Sequence, residues 1–139
     1  MLINVLDYPS PVEALGAAVD GDRVYFPSVK AWKAPPGGFQ ITRNIELFGD
    51  GAGNIGDANL GTTFLPYDSS NGSHVLALNP APGVELQNVF LHGFKITKNP
   101  SAPGKDGDNG IHCRTITGVK KSKLRIEGVV VLNMRNDAI

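Results

Sequence analysis

One cysteine, Cys113, stands among 139 residues. An internal disulfide is therefore excluded, and so is a zinc finger that needs several thiolates. No apolar run approaches the length that spans a bilayer as a helix. The opening residues, Met1 to Asp7, carry no basic n-region, and Asp7 interrupts the apolar stretch too early for a signal-peptide core. Neither sign of charge dominates, with 13 Lys and Arg against 13 Asp and Glu. No whole-molecule field then draws the chain to nucleic acid or to an anionic membrane. What is plentiful is turn chemistry: 17 Gly and 10 Pro, with charged residues at only 19%. Such a chain makes many reversals and few surface helices, and its length suits one domain with one core.

A single helix is expected, near the start. Ser10-Pro11-Val12-Glu13 has the form of a capping box, with Ser10 as N-cap and Pro11 at the first helical position. Val12, Leu15 and Val19 then recur at helical spacing, and Asp20-Gly21 supplies a stop. The spacing predicts a helix from Pro11 to Val19 that docks through that apolar face.

From Val24 onward the texture changes to short β-rich runs broken by Gly, Pro, Asn and Asp. They cover residues 24–27, 39–41, 45–48, 62–65, 74–78, 84–91, 93–97, 110–113 and 124–132. No helix-length pattern separates them, which argues against regular β/α alternation. Two of the runs also repeat. Val84 to Phe94 aligns with Leu124 to Met134 at an offset of 40, so that Val84/Leu124, Leu86/Ile126, Val89/Val129, Leu91/Val131 and Phe94/Met134 coincide. Asn88 then faces Gly128, two residue types that tolerate a left-handed corner. Ile45-Glu-Leu47 matches Val84-Glu-Leu86 at an offset of 39. Strand, corner, strand and long loop recurring in this way predict stacked coils. The expectation is an all-β fold, a right-handed parallel β-helix of few coils (22–139) capped by the helix of 10–21, in one domain over 1–139. A β-sandwich gives short strands too, but not this repeated corner with unequal insertions.

Gly21-Asp-Arg-Val-Tyr-Phe-Pro27 and Ile45-Glu-Leu-Phe-Gly-Asp-Gly-Ala-Gly53, with the paired strands at 84–97 and 124–132, resemble the opening of pectate-lyase-like superfamily domains. The resemblance covers residues 10–139. It implies a pectin-lyase fold and a polysaccharide partner, as in a phage tailspike or an extracellular depolymerase. It also implies a homotrimer or other virion or fibre subunits, and a place on a phage tail or outside the cell. The turn after the first strand departs from the family's pattern, reading Pro27-Ser-Val-Lys-Ala-Trp32. The chain also stops as a further coil is expected to begin, as would the N-terminal part of a longer β-helix, an unusually short member or a subunit finished by a partner.

Several residues are candidates for chemistry. Gly51-Ala-Gly53-Asn-Ile-Gly56 has nucleotide-loop spacing, but the polar, glycine-broken stretch that follows opens no helix, so a turn is expected. Lys105-Asp106-Gly-Asp108-Asn109-Gly110 precedes a strand that carries His112. Asp106 and Asp108 could serve as acid and base in glycoside cleavage or bind Ca²⁺, with His112 beside them. The alternative is a solvated turn. Strand alternation turns His112 outward and Cys113 inward. Trp32, Tyr25 and Tyr67 are candidate sugar platforms or ordinary core residues. Lys120, Lys121 and Arg125, in a basic run with Lys123, could meet an acidic sugar or simply be solvated. Phe90, Val130 and Leu132 are expected to form an apolar outer stripe that an oligomer or a loop covers. Two functions therefore stay open: a polysaccharide-binding module that is also a lyase or glycoside hydrolase if catalytic, and a non-catalytic assembly module of a tail or fibre.

Overall fold

The structure, a computed structural model, describes residues 1–53, 61–113 and 124–139. Ten strands, one helix and one 3-10 turn lie among them. The first strand, β1 (Leu2–Asn4), runs into a 3-10 turn at Val5–Asp7 and then the helix α1 (Pro11–Ala17). The remaining strands are β2 (Arg23–Phe26), β3 (Trp32–Lys33), β4 (Phe39–Ile41), β5 (Glu46–Gly49) and β6 (Thr63–Leu65), then β7 (Leu76–Leu78), β8 (Val89–Ile96), β9 (Ile111–Cys113) and β10 (Leu124–Val131).

The helix begins as its sequence predicts. Ser10 is the N-cap, its hydroxyl accepting from the Glu13 amide at 3.2 Å, and Pro11 takes the first turn. It ends at Ala17, before the Asp20-Gly21 stop. The buried stripe is Ala14, Leu15 and Ala18, whereas Val12 and Val19 are exposed. Small residues let the helix approach β4 closely, and they set the docking face in place of the larger valines.

Every ladder is parallel. The strands form a seven-stranded sheet, β1-β2-β5-β8-β6-β3 with β10 also on β8, and a three-stranded sheet, β4-β7-β9. The expectation of an all-β right-handed parallel β-helix is thereby corrected. The two sheets are separate, neither curls nor closes into a coil, and the whole is a small α/β-like domain of parallel sheets with one short helix. The reason lies in the glycine taken for a corner. Gly93 (φ 71°) and Gly128 (φ 58°) sit inside β8 and β10 and bend each strand without breaking it. β8 therefore carries β5 on its first half and β6 on its second, and joins into one sheet what separate strands would have divided between faces.

The repeat also has a different register. Leu124 pairs with Val89, Ile126 with Leu91 and Val129 with Phe94, which sets Gly128 opposite Gly93. Likewise Leu47 pairs with Leu91 rather than Leu86. Asn88 is not a left-handed corner; it is tied down by Asn44, whose Oδ1 accepts the amides of Gln87 and Asn88.

Ile3, Val24, Leu47, Leu91 and Ile126 make one inward row across the large sheet. Phe26, Phe39, Phe64 and Phe94 fill the space between the sheets, each at most 2% exposed, with ring centroids 4.8–5.8 Å apart in edge-on contacts. Burying each such ring contributes about 1.5–3 kcal/mol, so this cluster fixes how the two sheets face each other.

Candidate functional site

The three-stranded sheet presents Gln40, Ala77 and His112 in one outward row, while Phe39, Leu76 and Ile111 of the neighbouring row point into the core. His74, just before β7, lays its ring on that of His112 with centroids 3.9 Å apart and planes 2° from parallel. Gly37, Gln40, Gly72, His74, Ala77, Asn79 and His112 enclose a shallow hollow of about 340 Å³. His112 also lines a second hollow with Asn109, Asp137 and Cys113, so it stands on the ridge between two depressions.

Hydrogen bonds set the tautomers. The Asn109 backbone N–H donates to His74 Nδ1 at 3.3 Å, which makes that nitrogen the acceptor and places the neutral ring's proton on Nε2. Asn109 Oδ1 accepts from the Asp137 amide at 3.1 Å, which orients its side-chain amide. Its Nδ2 therefore donates to His112 Nδ1 at 3.3 Å, and His112 carries its proton on Nε2 as well. Burial lowers the pKa of His74, and the neighbouring His112 lowers it further, against a weaker pull upward from Asp108, whose Oδ2 lies 3.9 Å away. His74 is thus a neutral donor near pH 7. Beside the rings, Gln40 donates to the Gly37 and Gly38 carbonyls and accepts from Asn79 at 3.2 Å.

Asp108 anchors this wall. Its Oδ2 accepts the Gly72 amide at 2.8 Å and its Oδ1 accepts from Asn136. The Gly72 bond holds its pKa low, with help from Asn136 and against the opposing effect of burial. Asp106 is placed quite differently. It is 1% exposed, and its carboxylate accepts from Ser69 Oγ at 2.5 Å, Asn99 Nδ2 at 2.5 Å and the Asn99 amide at 3.1 Å. Burial raises its pKa, but the bonds from Ser69, Asn99 and Gly107 together outweigh burial, and the net shift is downward. Asp106 and Asp108 thus serve two separate loop-fixing networks. A Ca²⁺ there would meet carboxylates already engaged, and no group of three or more His, Cys, Asp or Glu converges among the described residues.

Trp32 is core rather than platform. It is 4% exposed, edge-on to Phe26, and its Nε1 donates to the Pro27 carbonyl at 2.8 Å. Tyr67 is exposed, with the Lys33 ammonium 5.4 Å from its ring centre. Lys120, Lys121 and Lys123 lie outside the described residues. Arg125 stands on the outer face of the large sheet, over the Phe90 ring at 4.4 Å and bonded to Glu127. Gly51 and Gly53 have positive φ and turn the chain, Gly51 donating to the Gly93 carbonyl at 2.7 Å; residues 54–60 of that motif lie outside the described residues.

The outer stripe is not continuously apolar. Tyr25, Phe48, His92 and Phe90 stack at 5.2, 5.3 and 4.2 Å, while Glu46 bonds Arg23 and His92 at 2.6 Å each. Tyr25 also donates to Asp50 at 2.6 Å. The rings use their faces on one another, and Arg125 covers the last of them. Little ring face is left for a sugar. Gln40, His74 and Asn79 join His112 at the better candidate site, and for Gln40 a signal was present, a polar residue between apolar neighbours in a short run.

Comparison with protein-family models, with curated proteins and with solved structures gives no match to this chain.

Proposed function

We propose that the chain binds a neutral polysaccharide in the groove over the three-stranded sheet, as a binding module rather than a depolymerase. The single observation that carries this reading is the parallel His74–His112 pair, with both Nδ1 atoms tied by Asn109. Each ring then keeps an Nε2–H outside those bonds, fixed in tautomer and orientation. The two imidazole N–H groups line this hollow with Gln40 and Asn79 and suit a ligand's hydroxyls, while the Gln40 NH₂ and the Gly72 N–H already have partners in the chain. Ala77, Gly37 and Gly72 keep the floor low, so an extended chain can lie close to it. Cleavage by paired carboxylates is disfavoured, because Asp106 and Asp108 spend their oxygens on loop bonds. A setting outside the cell, such as a virion tail, belongs to the same proposal and follows from such a ligand.

The test is titration against a panel of neutral and acidic bacterial polysaccharides by affinity electrophoresis and calorimetry, with reducing ends and unsaturated products followed in parallel. Binding of neutral members without cleavage is expected. His112→Ala should weaken it by about tenfold or more, the loss of one well-placed hydrogen bond. No binding across the panel, or binding indifferent to His112→Ala and Gln40→Ala together, would overturn the reading.

A further inference from the structure

β10 is the outer strand on its side of the large sheet, and among the described residues it has a ladder on one side only, to β8. Over Leu124–Val131 the backbone groups of the far side form a template for another strand. Among the described residues, the side chains of β10 are less covered than those of β8. Val89, Leu91, Phe94 and Ile96 of β8 are 2% exposed or less. Their row mates Leu124, Ile126, Val129 and Val131 touch the same core but remain half-buried. On the outer face of this edge, Arg125 and Glu127 are both exposed and bonded to each other at 2.7 Å.

We propose that β10 pairs antiparallel with β10 of a second copy, about a two-fold axis through Ile126. Charge selects that axis. It sets Arg125 opposite the partner's Glu127 and Glu127 opposite the partner's Arg125, so that the contact within each chain joins a ring of four alternating charges. Parallel in-register pairing would instead set Arg on Arg and Glu on Glu, which is unfavourable for residues directly opposite each other. The axis also places Leu124 opposite the partner's Gly128, where no side chain competes for space. The two-fold consumes both edges at once and closes, whereas a head-to-tail contact would propagate. This pairing uses the large sheet and is independent of the polysaccharide groove.

A strand-edge contact is smaller than the ~1,600 Å² of a standard stable interface, so the dimer is weak. Sedimentation from about 10 µM to about 1 mM covers the expected range. A concentration-dependent dimer is expected, with slowed amide exchange over 124–128 as it forms. Arg125→Glu should raise the dissociation constant by about tenfold or more, and the swap Arg125→Glu with Glu127→Arg should restore it to within about threefold. If Arg125→Glu alters the circular dichroism spectrum of the monomer, Glu127→Arg makes the same test with the opposite charge. A single-chain mass at every concentration, an assembly larger than a dimer, or a dimer indifferent to the single reversals would each overturn the proposal.

Discussion

Replacing Asp106 by Asn separates a structural carboxylate from a catalytic one. The side chain keeps its size and one carbonyl oxygen, but it loses its charge and gains an NH₂ group. The carboxylate now accepts from Ser69 Oγ, Asn99 Nδ2 and the Asn99 backbone amide, at 2.5, 2.5 and 3.1 Å. On the Oδ2 side the new NH₂ would meet the two Asn99 donors, so it takes the Oδ1 side, where the Ser69 hydroxyl must turn from donating to accepting. Hydrogen bonds to a charged group are worth about 1.5–3 kcal/mol each against about 0.5–1.5 kcal/mol for neutral pairs, and all three bonds lose that assistance. Allowing for relaxation of the loops, Asp106→Asn should destabilise the fold by about 2–4 kcal/mol. Urea unfolding followed by far-ultraviolet circular dichroism should show a lower midpoint at unchanged slope. The melting temperature should fall by about 10 °C for a loss of about 3 kcal/mol in a chain of this size. The polysaccharide binding proposed above should be the same per folded molecule. The pH dependence gives a second check. Asp106 has a native pKa below its unfolded value of 3.8, so its contribution is present above that value and is lost as pH falls through the native one. The variant should therefore lose less stability than the parent between about pH 5 and pH 2. A midpoint within about 0.5 kcal/mol of the parent would refute the assignment, since surface substitutions produce changes of that size.

Thr62 supports the large sheet in a comparable way. Fully buried, its hydroxyl accepts from the Asp50 amide and donates to the Phe26 carbonyl, both at 2.8 Å. Thr62→Val leaves two backbone groups unmatched and should cost about 2–4 kcal/mol, whereas Thr62→Ser should cost about 1 kcal/mol; equal urea midpoints for the two would reject this. His74 governs behaviour on the acid side of neutrality. Its native pKa lies below the ordinary 6.5, so the unfolded chain takes up the proton first and stability falls as pH drops through 6.5. His74→Gln should flatten the stability profile between about pH 7 and pH 5; a profile identical to the parent's would show that the imidazole pair carries no such linkage.

Much of the local structure was legible because local rules suffice for it. Ser10 and Pro11 fix the helix start through bonds within one turn, and each short β-rich run contains or adjoins an observed strand. β1 and β3, at Leu2–Asn4 and Trp32–Lys33, lie outside the β-rich runs. The global arrangement was harder for a reason visible in the repeat. At an offset of 40, five apolar positions coincide between the runs at 84–94 and 124–134. The observed register aligns apolar positions as well, Val89 with Leu124, Leu91 with Ile126, Phe94 with Val129 and Ile96 with Val131. Apolarity alone does not choose between them. Gly93 and Gly128 do, because each must bend its strand with positive φ and the bends have to nest, as their opposed places show. A register error of this kind also moves the corner and closes a coil that the continuous strands leave open. The same distinction applies to the site. Strand alternation was enough to turn His112 outward, a property of neighbouring residues. Its pairing with His74 depends on β7 lying beside β9, and the separation of Asp106 from Asp108 depends on which loops they hold, Ser69 and Asn99 for one and Gly72 and Asn136 for the other. Two acidic residues on one loop announce a cluster in sequence. Only the partners that reach them decide whether they act on a ligand or hold the loop, and here Ser69, Asn99, Gly72 and Asn136 engage both carboxylates in loop bonds.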